Sequence, residues 1–100
     1  MDLLTDIKRF LDNVDEKDVH FKPLFHASIA GRHLSEELVR AFMRKTGKLE
    51  FFLAQKARRV GEDKYKLWFK MSSKYALVVV AVFSGKDLYI VNAWIEDRRW

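Results

Sequence analysis

The chain has no cysteine. That excludes disulfides, a thiol nucleophile and any cysteine-ligated zinc site. Only four glycines are present, and none belongs to a glycine-rich loop of the kind that cradles phosphates. Asparagine and glutamine are scarce, limited to Asn13, Asn92 and Gln55, while Lys, Glu and Arg are abundant. That balance leans toward a thermophilic source. The longest apolar run, Tyr75 to Phe83, has nine residues, against about 20 for a membrane-spanning helix. Acids stand near the N-terminus where a secretory signal would carry bases. These absences predict a soluble, cytoplasmic protein with no membrane partner.

What is present suits one domain. The chain has 100 residues, of which 49% are hydrophobic and 14% aromatic. A domain of this size buries roughly two thirds of the surface its unfolded chain exposes, enough to fold without staples. The net charge of +5 is unevenly spread. Residues 1–20 hold Lys8, Arg9 and Lys17 against six acids, whereas residues 21–100 hold sixteen bases against eight acids. A basic body behind an acidic segment points to a polyanionic partner.

The hydrophobic period predicts the order of elements. Leu3, Leu4, Ile7, Phe10, Leu11 and Val14 recur at helical spacing behind Asp2, an N-cap residue, which makes residues 1–15 an acidic amphipathic helix. The alternation over 18–22 predicts a short strand, which Pro23 ends. A short helix follows over 24–31. Ser35 caps the next helix, with Glu36 and Glu37 in its first turn and Gly47 as its stop. The period then changes from 3.6 to 2. Strands are predicted over 49–54, 65–70, 75–83 and 88–95, with turns at Gly61, at Ser72 and Ser73, and at Gly85. The fold class is therefore α+β, with N-terminal helices packed on one face of a C-terminal antiparallel β-sheet. Strand 75–83 is apolar on both faces. Its second row, Val78, Val80 and Val82, must be covered by the first helix or by a second copy of the chain.

Three segments carry a resemblance to a known family. They are His26-Ala27 running into Gly31-Arg32-His33-Leu34-Ser35-Glu36-Glu37-Leu38-Val39, then Lys64-Tyr65-Lys66-Leu67-Trp68-Phe69-Lys70, and then Tyr75–Phe83 followed by Leu88–Trp94. Over residues 18–100 this pattern resembles the RelE/ParE-type toxin superfamily, especially its small members with a His-Ala pair. The acidic first helix is an addition to it, and Ala30 stands near the place of an expected arginine. The resemblance implies a RelE-like fold and metal-independent RNA cleavage, in which a ribose 2′-OH attacks the neighbouring phosphate. It also implies an RNA or ribosome target and an antitoxin partner. It places functional residues on late strands and at the C-terminal end, where Arg98 and Arg99 lie.

Such chemistry needs a proton acceptor, cations for the charge growing on phosphate, and an acid for the leaving oxygen. The catalytic candidates are His26, Arg32, Lys70, Tyr75 and Arg98. A histidine trades protons near neutral pH, and an arginine fork clamps phosphate. The nucleic-acid-binding candidates are Lys56, Arg58, Arg59, Lys66, Trp68, Lys74 and Arg99. Cations interleaved with aromatics suit single strands, because phosphates pair with the cations while bases stack on the rings. Each residue also has a plainer reading. His26 can bond backbone at a helix start, Arg32 can be a solvated loop residue, Lys66 and Lys70 can lie along a sheet rim, and Tyr75 can belong to the core. His20, His26 and His33 have no ligand spacing, so neither metal nor cofactor is expected.

Two functions follow from these readings. One is a toxin-like RNA-binding protein with endoribonuclease capacity. The other is a non-catalytic homodimeric assembly module that uses its apolar sheet face. The first helix also has two readings: it lies across the basic sheet surface as an internal shield, or it packs in the core.

Overall fold

A computed structural model describes residues 2–98. Its elements are α1 (Leu3–Asn13), β1 (Val19–Phe21), α2 (Pro23–Ile29), α3 (Glu36–Met43), β2 (Leu49–Gln55), β3 (Glu62–Lys70), β4 (Tyr75–Ser84) and β5 (Asp87–Asp97). The arrangement is α+β, with helices first and strands after. No helix among the described residues is long and apolar enough to cross a membrane.

The helix starts follow side-chain chemistry. The Asp2 carboxylate accepts from the Thr5 amide at 2.7 Å, and the Ser35 hydroxyl accepts from the Leu38 amide at 3.1 Å. Each satisfies an amide that has no partner within its helix. Pro23 ends β1 and occupies the first turn of α2, where its missing N–H costs nothing. The end of α3 differs from expectation. Arg44 is its C-cap, in right-handed conformation. Gly47 lies three residues further on, in a 3-10 turn over Thr46–Lys48, and its φ is not positive. The turn closes through ordinary right-handed backbone, so no left-handed residue is needed there.

The strand order is β1-β5-β4-β3-β2. β2 to β5 form an antiparallel meander, and β1 adds to β5 in parallel at one edge. Two of the pairings differ from a regular ladder by one residue. Glu50 is surplus in β2 between Leu49 and Phe51. Val91 is surplus in β5, because Ile90 faces Ala81 and Asn92 faces Val80.

The register sorts the side chains onto two faces. Tyr65, Leu67 and Phe69 pair with Ala81, Val79 and Leu77, and all of these are buried in the main core. The three helices cover that face. α1 contributes Ile7 and Leu11, α2 Phe25, and α3 Val39, Phe42 and Met43. The Phe42 ring meets Phe69 edge-on at 6.4 Å. Arginines tie α3 to the first helix and the segment after it: Arg40 bonds Glu16 at 2.9 Å and Arg44 donates to the Leu11 carbonyl at 3.1 Å, while Arg40 also bonds Glu36 within α3 at 3.0 Å.

The first helix is core structure. Its Phe10 ring stacks on Phe83 at 4.5 Å, on the face opposite Lys66. It does not lie across the basic surface, because Ile7 and Leu11 need the same apolar cover as the strands beneath them.

Candidate nucleic-acid interface

Among the described residues, the buried helix side chains all pack on the first face, and only the first turn of α2, at Pro23 and Leu24, reaches the end of the second. Lys64, Lys66, Trp68 and Lys70 alternate with the core residues of β3. They stand opposite Val82, Val80, Val78 and Ala76 of β4. β5 adds Trp94 beside Val78 and Tyr89 beside Val82.

Large side chains roof the apolar centre of this face. Trp68, Ala76 and Val78 form a small buried cluster with Trp94 packed against it. Val78 is 0% exposed although no helix lies above it. The Lys66 ammonium sits 5.0 Å from the Trp68 ring centre and 5.0 Å from that of Trp94. A cation between two indoles is held by both ring quadrupoles, and its aliphatic stem adds apolar cover. The two-faced strand is thus largely covered by the chain itself.

One end of this face opens into a cleft of about 540 Å3. Lys22, Arg58, Arg59 and Lys64 line it, with Glu62 as the single acid and Tyr89 and Val91 on the sheet floor. Arg58 and Arg59 lie in the loop between β2 and β3, which turns through Gly61 at φ +84. The Glu62 amide closes that turn on the Arg59 carbonyl at 3.3 Å. Among the described residues, none of the four cations has a carboxylate within 4.0 Å. A smaller cavity of about 230 Å3 lies beside α1 on the other layer. It is lined by Asp6, Asp63, Phe10 and Tyr65 and carries no base.

The structure separates the catalytic candidates. His26 sits on α2 against Phe25 at 5.5 Å, with its Nε2 4.0 Å from Glu36. Arg32 serves the sheet edge. β1 pairs only as far as Ile90, and Arg32 Nη1 donates to the Ala93 carbonyl beyond it at 3.0 Å. Lys70, Tyr75 and Arg98 gather at the other end of the sheet, around the 71–74 turn. The strand rise puts Lys70 about 20 Å from Lys64. Arg98 is engaged by Glu50, through Nε at 3.0 Å and Nη2 at 3.1 Å. Tyr75 is half exposed at the start of β4 rather than in the core.

The binding candidates divide too. Arg58 and Arg59 line the cleft, and Lys66 and Trp68 share the open face. Lys56 lies in the β2–β3 loop, just after β2. Lys74 is in the distant turn, where its carbonyl accepts from the Arg98 amide at 2.7 Å. Arg99 lies outside the described residues.

Sequence reasoning did not single out Lys22, Tyr89 or Trp94. Lys22 was hidden by its place before Pro23. Trp94 was hidden by the extra residue Val91, which shifts the in–out alternation of β5 by one. Comparison with family models, with curated proteins and with solved structures finds no match to the chain.

Proposed function

We propose that the chain binds single-stranded RNA along the open sheet face. The observation that carries this is the row Lys64, Lys66, Trp68 and Lys70 on β3, with Lys66 held between Trp68 and Trp94. The row leads into the cleft lined by Lys22, Arg58, Arg59 and Lys64. Phosphates pair with such cations, and the partly exposed indole of Trp94 offers ring surface on which a base can stack. The plain sheet supports extended binding without a deep pocket. The reading rests on binding rather than on cleavage, since His26 and Arg32 lie away from Lys70, Tyr75 and Arg98. Toxin-like cleavage by one of these groups remains the narrower form of the proposal.

The test is titration of a single-stranded RNA oligonucleotide at several salt concentrations. Affinity should fall with salt by a log–log slope of about 0.7 per phosphate engaged. Lys66→Gln should weaken binding and lower that slope by about one phosphate's share. Affinity that ignores salt, or a variant equal to the native chain, sinks the reading. Incubating RNA with the protein in EDTA, then resolving the products, tests cleavage separately.

One observation favours a second reading, self-association. Phe51 is 51% exposed and Leu53 50% on β2, an edge strand with one unpaired side. Exposed edges are templates for further strands. Sedimentation across a concentration series tests it: a mass that stays monomeric in both the native chain and Leu53→Lys removes this reading.

A further inference from the structure

The cleft at the end of the open face has more positive charge than a passing strand requires. Lys22, Arg58, Arg59 and Lys64 surround it against the single acid Glu62. An internal phosphodiester brings one negative charge per nucleotide. A phosphomonoester brings about −1.5 to −2 near pH 7 with three strong acceptor oxygens. The cleft volume of about 540 Å3 falls within the roughly 300–1,000 Å3 of small-molecule sites. It is therefore sized for one terminal group rather than for a run of backbone.

The cleft is also braced. Lys22 Nζ lies 4.7 Å from the centre of the Tyr89 ring. The same ring stacks on His20 at 4.9 Å, and His20 Nε2 is 3.1 Å from the Asp87 carboxylate. Asp87 therefore positions His20, His20 supports Tyr89, and Tyr89 holds the Lys22 ammonium at the cleft wall. A cation fixed before the ligand arrives loses less freedom on binding than a free lysine does. The Val91 bulge adds a further residue to the cleft floor. From these observations we propose that the cleft recognises a terminal phosphomonoester, the phosphorylated end of an RNA strand whose remainder runs along β3. The proposal rests on the RNA reading above for the strand, and on the cleft alone for the phosphate.

The experiment compares one ten-nucleotide RNA carrying hydroxyl ends, a 5′-phosphate or a 3′-phosphate. A phosphorylated form should bind about tenfold tighter than the hydroxyl form, as expected where several charge-assisted bonds form. The double variant Arg58→Ala/Arg59→Ala should bring that ratio to one. Lys66→Gln should weaken all three forms and keep the ratio. Equal affinity of the three forms overturns the terminal-phosphate assignment and leaves RNA binding standing. If no oligonucleotide binds, the RNA reading falls, and adenosine monophosphate then decides the cleft by itself. Binding of that nucleotide, lost in the double variant, supports the phosphate site as one for free nucleotides. No binding overturns it.

Discussion

Phe10 lies on Phe83 with the two rings nearly parallel, 18° apart. That contact joins the first helix to β4 and fixes its acids on the layer away from Lys66. The helix therefore stabilises the sheet instead of shielding its basic face. Leu11 in the same helix is 0% exposed. Leu11→Ala should cost about 3 kcal/mol through lost transfer energy and a residual cavity. In urea unfolding the midpoint should drop while the slope stays constant. Deleting residues 2–14 should abolish the cooperative transition. A truncated chain that unfolds cooperatively with unchanged midpoint would show the helix to be an appendage.

Glu16 makes the fold sensitive to acid. The hydrogen bond from Arg40 holds its carboxyl below the ordinary value of 4.5; slight desolvation works the other way, and the charges of Arg44 and Arg40 add to the lowering. A depressed carboxyl contributes stability above its unfolded value, and that contribution is lost as pH falls through the folded value. The native chain should therefore lose stability below about pH 4.5. In Glu16→Gln the drop in urea midpoint between pH 7 and pH 3 should be smaller. Equal drops would remove Glu16 from the acid limb.

The bidentate bond between Arg98 and Glu50 spans the sheet, because β4 and β3 lie between their strands in the order. The Arg98 side chain is 15% exposed and that of Glu50 30%, so solvent screens the pair only in part. Arg98→Lys keeps the charge but loses the planar fork. It should cost about 1 kcal/mol, read as a fall of roughly 4–8 °C in Tm. An unchanged Tm would assign the bidentate geometry no structural role.

Gly61 sets the loop that carries Arg58 and Arg59. Its φ is +84, and a Cβ there would meet nothing within 4 Å. The cost of Gly61→Ala is therefore conformational rather than steric, about 1 kcal/mol. Thermal unfolding should show a lower Tm. An unchanged Tm would mean that the turn relaxes without strain.

Much of this fold was legible from local chemistry. Asp2, Ser35 and Pro23 start helices by the hydrogen bonds they make or lack. The meander followed from alternation in β3 and from the doubly apolar Tyr75–Phe83. Legibility failed where one residue changes the phase. Strict alternation from Leu88 would turn Trp94 toward the helices, but Val91 is surplus, so Trp94 reaches the open face and meets Lys66. Glu50 reads as an intruder in an apolar strand until its bulge and its bond to Arg98 are seen. The candidate site was half legible. Lys66, Trp68, Arg58 and Arg59 stood out as cations near an aromatic. Lys22 and Tyr89 come together only because β1 pairs with β5, with Val19 opposite Leu88 and His20 opposite Tyr89, a long-range contact with no local signal.

The layer order gives the charge split a direction. Acids of the first helix lie on one side of the sheet, and Arg58, Arg59 and Lys64 of the cleft lie on the other. The molecule therefore carries a permanent electric dipole across its thickness. For the proposed RNA partner, that dipole would turn the bare sheet face toward the strand before any contact forms. Added salt shortens the reach of this alignment to about 8 Å at physiological strength, and capture should slow before the bound complex loosens.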